Sequence, residues 1–196
     1  MGYTHYWYRP REIEQETFNH IAQDFQSMLP VFRNWGIKLA GWNGNGEPEV
    51  NNEIIRFNGS RYCGHPDDTS VVIPWPADDA SGIALPGEDV KSGSWFAGVL
   101  LQKRVCNGDC SYETFYLPRI YTPRSWDTPE NDLYFGFCKT AFRPYDLAVT
   151  SCLIIAKHYL KNRMVVHSDG EEHHWQDAKW LCQTILGYGA DFHLDP

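Results

Sequence analysis

The stretch FCKTAFRPYDLAVTSCLIIAKHYL, Phe137 to Leu160, decides the fold. From Pro144 onward the apolar Leu147, Ala148, Val149, Cys152, Leu153, Ile154, Ile155, Ala156, Tyr159 and Leu160 leave only a narrow polar stripe of Asp146, Thr150, Lys157 and Lys161 at helical spacing. A helix that is apolar nearly all round is a central helix, buried by whatever surrounds it. Pro144 suits a first helical position, where its missing N–H costs nothing, and Asp146 in the first turn meets the positive end of the helix dipole. The polar run ahead of it, Cys138, Lys139, Thr140, Arg143, Tyr145 and Asp146, lies between a strand end and a helix N-terminus. Backbone N–H groups there attract anions, and Lys139 and Arg143 add charge. Phosphate or carboxylate recognition is one reading of this run; a capped, solvated helix start is the other.

Working outward, GYTHYWYR near the N-terminus is rich in β-formers and reads as a strand over Tyr3 to Arg9. Alternation puts Tyr3, His5, Trp7 and Arg9 on one face and Thr4, Tyr6 and Tyr8 on the other, so both faces are aromatic and the strand suits an interior position. His5 and Arg9 on such a strand each need a partner. Phe18, Ile21, Ala22, Phe25, Met28, Leu29 and Phe32 repeat at three and four residues, which predicts an amphipathic helix from about Glu14 to Asn34, with Pro30 kinking or shortening its last turn. Short strands are expected at Ile37–Trp42, Glu53–Asn58, Ser70–Ile73, Trp95–Val105, Glu113–Leu117, Leu133–Cys138 and Met164–His167. Asp169 and Glu172 have the spacing of a capping box before a last helix bearing Ala178, Leu181, Cys182, Ile185 and Leu186, ended by Gly187 and Gly189. The order predicts an α+β fold: about three helices against a mixed or antiparallel sheet. Residues 1–196 read as a single domain, with the Pro- and Gly-rich, β-type segment 60–112 as an insertion.

With 17 basic against 25 acidic residues the chain carries a formal charge of −8, which argues against a duplex nucleic acid surface. No window reaches the ~18 uninterrupted apolar residues of a membrane helix, and the N-terminus lacks the apolar core of a signal peptide, so a cytoplasmic protein with reduced thiols is expected. Eight Trp, 11 Tyr and 10 Phe fill a core and leave aromatics to line a pocket. In the 60–112 segment Cys63 and His65 at one end and Cys106 and Cys110 at the other are four zinc-capable ligands in two pairs. A structural zinc would staple a segment with little core of its own. Free thiols, or a Cys106–Cys110 disulfide in an oxidising compartment, are the competing readings. His173 and Asp177 share a helix face, where a metal pair competes with plain surface. No Walker loop, HExxH or GxSxG motif is present. His5, His65, His158, His167 and Glu113 are the remaining acid/base candidates.

The segments GYTHYW (Gly2–Trp7), IRFNG (Ile55–Gly59), ETFYLPR (Glu113–Arg119), FCKTA (Phe137–Ala141), PYDLAVT (Pro144–Thr150), AKH (Ala156–His158), SDG (Ser168–Gly170) and LGYG (Leu186–Gly189) together resemble a family of small uncharacterised bacterial and phage proteins beginning GYTHYW. The resemblance spans nearly the whole chain in order. Against shorter members Ser60 to Tyr112 looks like an insertion, and Tyr112 stands where His is expected before ETF, which speaks against a catalytic histidine there. The resemblance implies a cytoplasmic protein of a bacterium, or of the host cytoplasm if phage-encoded, and supplies no activity.

The leading functional expectation is a non-enzymatic binder of a small nucleotide-like molecule, sequestering a nucleotide-derived signal in phage–host conflict. By analogy with phage anti-defence proteins, aromatics would stack on the ligand and cations would hold its phosphate. The residues expected to do so are Tyr6, Trp7, Arg9, Arg56, Lys139, Arg143 and Tyr145. The alternatives are a phosphodiesterase-like hydrolase using His5 or His167 with a carboxylate, and a protein-interaction module contacting its partner through the 60–112 segment. A homo-oligomer is compatible with each.

Overall fold

The computed structural model describes residues 2–66, 70–72, 95–96, 99–100 and 103–196. Their elements run β1 (Thr4–Pro10), α1 (Gln15–Asn34), β2 (Leu39–Ala40), β3 (Glu49–Val50), β4 (Ile54–Gly59), β5 (Ser70–Val72), β6 (Trp95–Phe96), β7 (Val99–Leu100), β8 (Lys103–Val105), β9 (Phe115–Pro118), β10 (Leu133–Lys139), α2 (Asp146–Leu160), β11 (Val165–Ser168) and α3 (Gln176–Leu186). The fold is α+β, with three α-helices among the described residues and antiparallel pairing throughout the named strands. No helix among the described residues is long and apolar enough to cross a membrane.

β1 is the middle strand of a sheet ordered β10-β1-β11, in the interior position that its two aromatic faces predict. Its register sets Tyr6 opposite Phe137 and His167, and Trp7 opposite Gly136 and Val166. Along it His5, Trp7 and Arg9 are buried, while Tyr6 and Tyr8 are half-buried on the other face. β4 organises the second sheet, pairing with β9, β3 and β2. The two sheets meet through rings: Trp7 packs on Phe115 at 5.1 Å, Phe115 on Phe57 at 5.0 Å, and Phe57 stacks on Phe25 of α1 at 5.0 Å. α2 is the central helix. Every residue from Asp146 to Ala156 is buried, and α1, α3 and β11 all contact it.

Several local expectations change. α1 continues through Pro30 to Asn34, because a proline sixteen residues into a helix costs one hydrogen bond while Phe25, Met28 and Phe32 stay buried on either side of it. α2 begins at Asp146, two residues after Pro144, with Pro144 and Tyr145 in the preceding turn. The capping box ahead of the last helix is formed by Glu171 and His174 rather than Asp169 and Glu172, at the start of a short 3-10 turn over Glu172–Trp175. Asp169 turns back to β1 instead, accepting the Thr4 N–H at 3.0 Å and the Tyr6 hydroxyl at 3.1 Å. Of the segment read as one strand over Trp95–Val105, the described residues form β6, β7 and β8, and residues 97–98 and 101–102 lie outside the described residues. Ile37–Trp42 yields only Leu39–Ala40. Gly187 does end α3, in a left-handed conformation.

Because Trp7 joins the two sheets from a fully packed site, Trp7→Ala should destabilise the protein by about 3–5 kcal/mol. The urea midpoint would fall accordingly, with the slope of the transition unchanged.

Candidate metal centre and buried charge network

The two halves of the Cys/His set meet. Cys63 Sγ lies 3.4 Å from Cys106 Sγ, Cys106 Sγ lies 3.2 Å from Cys110 Sγ, and His65 Nδ1 lies 3.3 Å from Cys110 Sγ. All four donor atoms fall within 4.8 Å of one another, and no other such cluster occurs among the described residues. A tetrahedron around a metal with bonds of ~2.3 Å has edges of about 3.8 Å, so these atoms sit close to the corners that such an ion requires. The CNGDC turn supplies two of them: Asn107 and Gly108 both adopt left-handed backbone (φ 54° and 78°), folding Cys110 back beside Cys106. The thiols are not alike. Burial raises Cys63, but hydrogen bonds from the His65 backbone and the neighbouring thiols outweigh it and leave its pKa lowered, whereas burial keeps Cys106 and Cys110 raised. The cluster can hold a metal.

Two residues before Cys106, Arg104 enters a second site. Its guanidinium is fully buried and faces two carboxylates: Nε donates to Asp146 Oδ2 at 3.1 Å, and one terminal nitrogen donates to Asp177 Oδ2 at 2.6 Å. The other carboxylate oxygen of Asp146 accepts from His5 Nε2 at 2.7 Å and from the Thr140 hydroxyl at 2.6 Å. His5 Nδ1 in turn lies 3.0 Å from Ser168 Oγ, which also accepts the Gly170 N–H at 2.9 Å. Five chain segments therefore converge: β1, β8, the loop before α2 with its first turn, the end of β11, and α3. Ala141 and Phe142 in that loop adopt left-handed backbone (φ 49° and 58°), an uncommon conformation for residues with side chains. The Phe142 ring ends up 5.7 Å from the Arg104 guanidinium and 4.3 Å from the Tyr3 ring.

Burial alone would raise the Asp146 pKa. The charges of His5 and Arg104, with the hydrogen bonds from His5 and Thr140, reverse that and hold it at about 2, below 3.8. Burial pushes the Tyr3 phenol well up, with Asp146 adding to the rise and Arg104 and Ser168 opposing it.

The residues predicted to bind a ligand are dispersed. Trp7 and Tyr145 are core residues, and the Tyr145 hydroxyl donates to the Glu113 carbonyl at 2.6 Å. Arg9 is buried at the far end of β1, where its guanidinium donates to the carbonyls of Pro10, Pro118, Arg11 and Arg119, and burial lowers its pKa to about 10. Arg56 pairs with Glu49 at 2.5 Å on the second sheet. Arg143 donates to the Cys106 carbonyl, bracing the metal-capable turn. Lys139 lies 5.7 Å from the Tyr112 ring. Tyr6 and Lys139 alone share the open face of the first sheet. Of the acid/base candidates, His65 joins the thiols, His158 stacks on Tyr188 at 3.7 Å, His167 lies on the open face, and Glu113 accepts the Lys139 N–H. Only His5 meets a buried carboxylate. His173 and Asp177 do not form a pair: His173 is near Glu171, and Asp177 is taken by Arg104. Sequence reasoning missed Arg104 and Ser168. Arg104 had no signal, lying in a short strand of an irregular segment, and Ser168 entered only as part of the SDG segment.

Comparison of the chain with protein-family models, with curated proteins and with solved structures gives no match.

Asp146 ties acid stability to this network. Its folded pKa lies below its unfolded one, so its contribution, roughly 2 kcal/mol, is fully present above about pH 4 and is lost as pH falls towards 2. Asp146→Asn should flatten stability across that window in acid titrations followed by circular dichroism. Arg104→Ala, which leaves two buried carboxylates without their cation, should cost about 3–5 kcal/mol at neutral pH.

Proposed function

We propose that the protein is a zinc-stapled domain that binds a small planar anion of nucleotide type on the open face of its first sheet. The observation that carries this reading is the aromatic row on that face. Phe135 and Phe137 are 45% and 52% exposed, and Phe135 stacks on Phe137 at 5.8 Å and on Tyr6 at 6.2 Å. Exposed rings in register across an antiparallel sheet form a surface on which a further ring can stack, at about 1–3 kcal/mol per base. Lys139, two residues beyond Phe137 on the same face, ends the row beside the exposed Tyr112 and offers a cation to a phosphate. Two of the residues expected to bind a ligand, Tyr6 and Lys139, belong to this surface. Sequestering a nucleotide-derived signal is the role such a surface would serve without chemistry.

Zinc is the metal proposed for Cys63, His65, Cys106 and Cys110, since three thiolates and an imidazole with no open position are a structural zinc donor set. These residues would hold the 60–112 segment to the core, and the bound ion would supply stability and no chemistry.

Protein purified without chelator should contain one zinc per chain by elemental analysis, and its removal should lower the melting temperature; metal-free protein with an unchanged melting temperature refutes the staple. Titration with nucleoside monophosphates and cyclic dinucleotides, followed by amide chemical shifts, should perturb the β1 and β10 signals. Phe137→Ala and Lys139→Glu should each weaken binding about 5- to 100-fold. Shifts confined to other surfaces, or unchanged affinity in both variants, count against the open face.

A further inference from the structure

We propose that Ser168 is a nucleophile whose proton is taken by His5, and that the substrate class is a neutral carboxylic ester. This site lies on the inner side of the sheet and does not depend on the aromatic face.

The assignment follows from which groups can donate. The Asp146 carboxylate is ionised and is surrounded by donors: the Thr140 hydroxyl, Arg104, and His5 Nε2 at 2.7 Å. Nε2 is therefore the nitrogen that carries a proton, and in the neutral form of the ring Nδ1 is the acceptor. Its neighbour is the Ser168 hydroxyl at 3.0 Å. Because Ser168 Oγ already accepts the Gly170 N–H at 2.9 Å, its own proton is directed to Nδ1. Hydroxyl, imidazole and carboxylate are thus connected in the order that nucleophilic catalysis requires, with the ring held in one tautomer by a carboxylate out of water. His5 and Asp146 are fully buried, whereas Ser168 is only half-buried, so the member at the solvent boundary is the one that would attack.

A donor for the other side of the reaction is close by. The Tyr3 hydroxyl is buried, stays protonated and has Ser168 as its polar neighbour. It occupies the space where a Cβ of residue 170 would stand, so only glycine admits it there. A buried O–H beside a nucleophile is a group available to a carbonyl oxygen as that oxygen gains charge. The charge around Ser168 selects the substrate. Glu171 follows three residues on and is exposed, which disfavours an anionic phosphoester and accepts an uncharged acyl group.

In the forward step Ser168 Oγ bonds to the ester carbonyl carbon and its proton moves to His5 Nδ1. The tetrahedral intermediate then collapses, the C–O bond to the alcohol breaks, and Nδ1–H protonates the departing alkoxide. Water, deprotonated by the same Nδ1, hydrolyses the acyl-serine to a carboxylic acid and restores the Ser168 hydroxyl. No oxidant, reductant or metal takes part.

The full chain treated with a fluorophosphonate probe, and separately with p-nitrophenyl acetate, should carry one adduct on the peptide containing Ser168. That adduct should be absent from Ser168→Ala, and its formation should slow at least 100-fold in His5→Gln. Folded wild-type protein with no adduct at Ser168, or with its adduct elsewhere, overturns the proposal. The wild-type result decides the nucleophile even where His5→Gln fails to fold. The base is then read in the wild type from the His5 ring 15N shifts: an Nε2–H tautomer with Nδ1 as acceptor supports it, and the Nδ1–H tautomer overturns it.

Discussion

The structure depends on the Asp146 carboxylate. A fully buried carboxylate is tolerated only when its lone pairs are met by donors and its charge by cations, and here three side chains from three parts of the chain provide both. Asp146 opens the central helix, so its position is fixed by the packing of everything around α2. His5 fixes the register of β1 against that helix, and Thr140 fixes the loop that leads into it. Arg104 carries the same constraint out to α3 through Asp177. Repacking any one of these elements would leave a charge stranded in the core, which makes the arrangement specific as well as stable.

The face of β1 turned to α2 and the face turned outward have different roles. The inner face holds His5, Trp7 and Arg9, each fully satisfied by packing or by hydrogen bonds. The outer face carries Tyr6 and Tyr8 among the rings of β10 and is only half covered. A strand with aromatic residues on both faces can be central to a sheet without the sheet being buried on both sides.

Much of the fold was legible because it rests on periodicity. The all-round apolar pattern of Leu147 to Leu160 identified the central helix, and the three- and four-residue repeat of Phe18 to Phe32 identified the buried stripe of α1. The two Cys/His pairs were legible as potential ligands from residue type alone, although their spacing is unusual and their meeting depends on how the ends of the 60–112 segment close. The charge network was not legible. Asp146 read as a helix-dipole partner and Asp177 as surface or half of a metal pair, because each is ordinary in its local context and acquires its role mainly from groups more than thirty residues away. The same long-range dependence explains why Trp7, Arg9 and Tyr145, chosen for chemistry that suits a pocket, proved to be parts of the core: side-chain type does not reveal which neighbours will bury it.

Arg104 and Cys106 are two residues apart, yet one neutralises the centre of the protein and the other belongs to the metal-capable cluster at its periphery. Loosening the turn around Cys106 therefore withdraws a counter-ion from α2 and α3. The Cys106 turn and the core are in this way parts of one cooperative unit, and local opening at the thiols has the energetic reach of a global event.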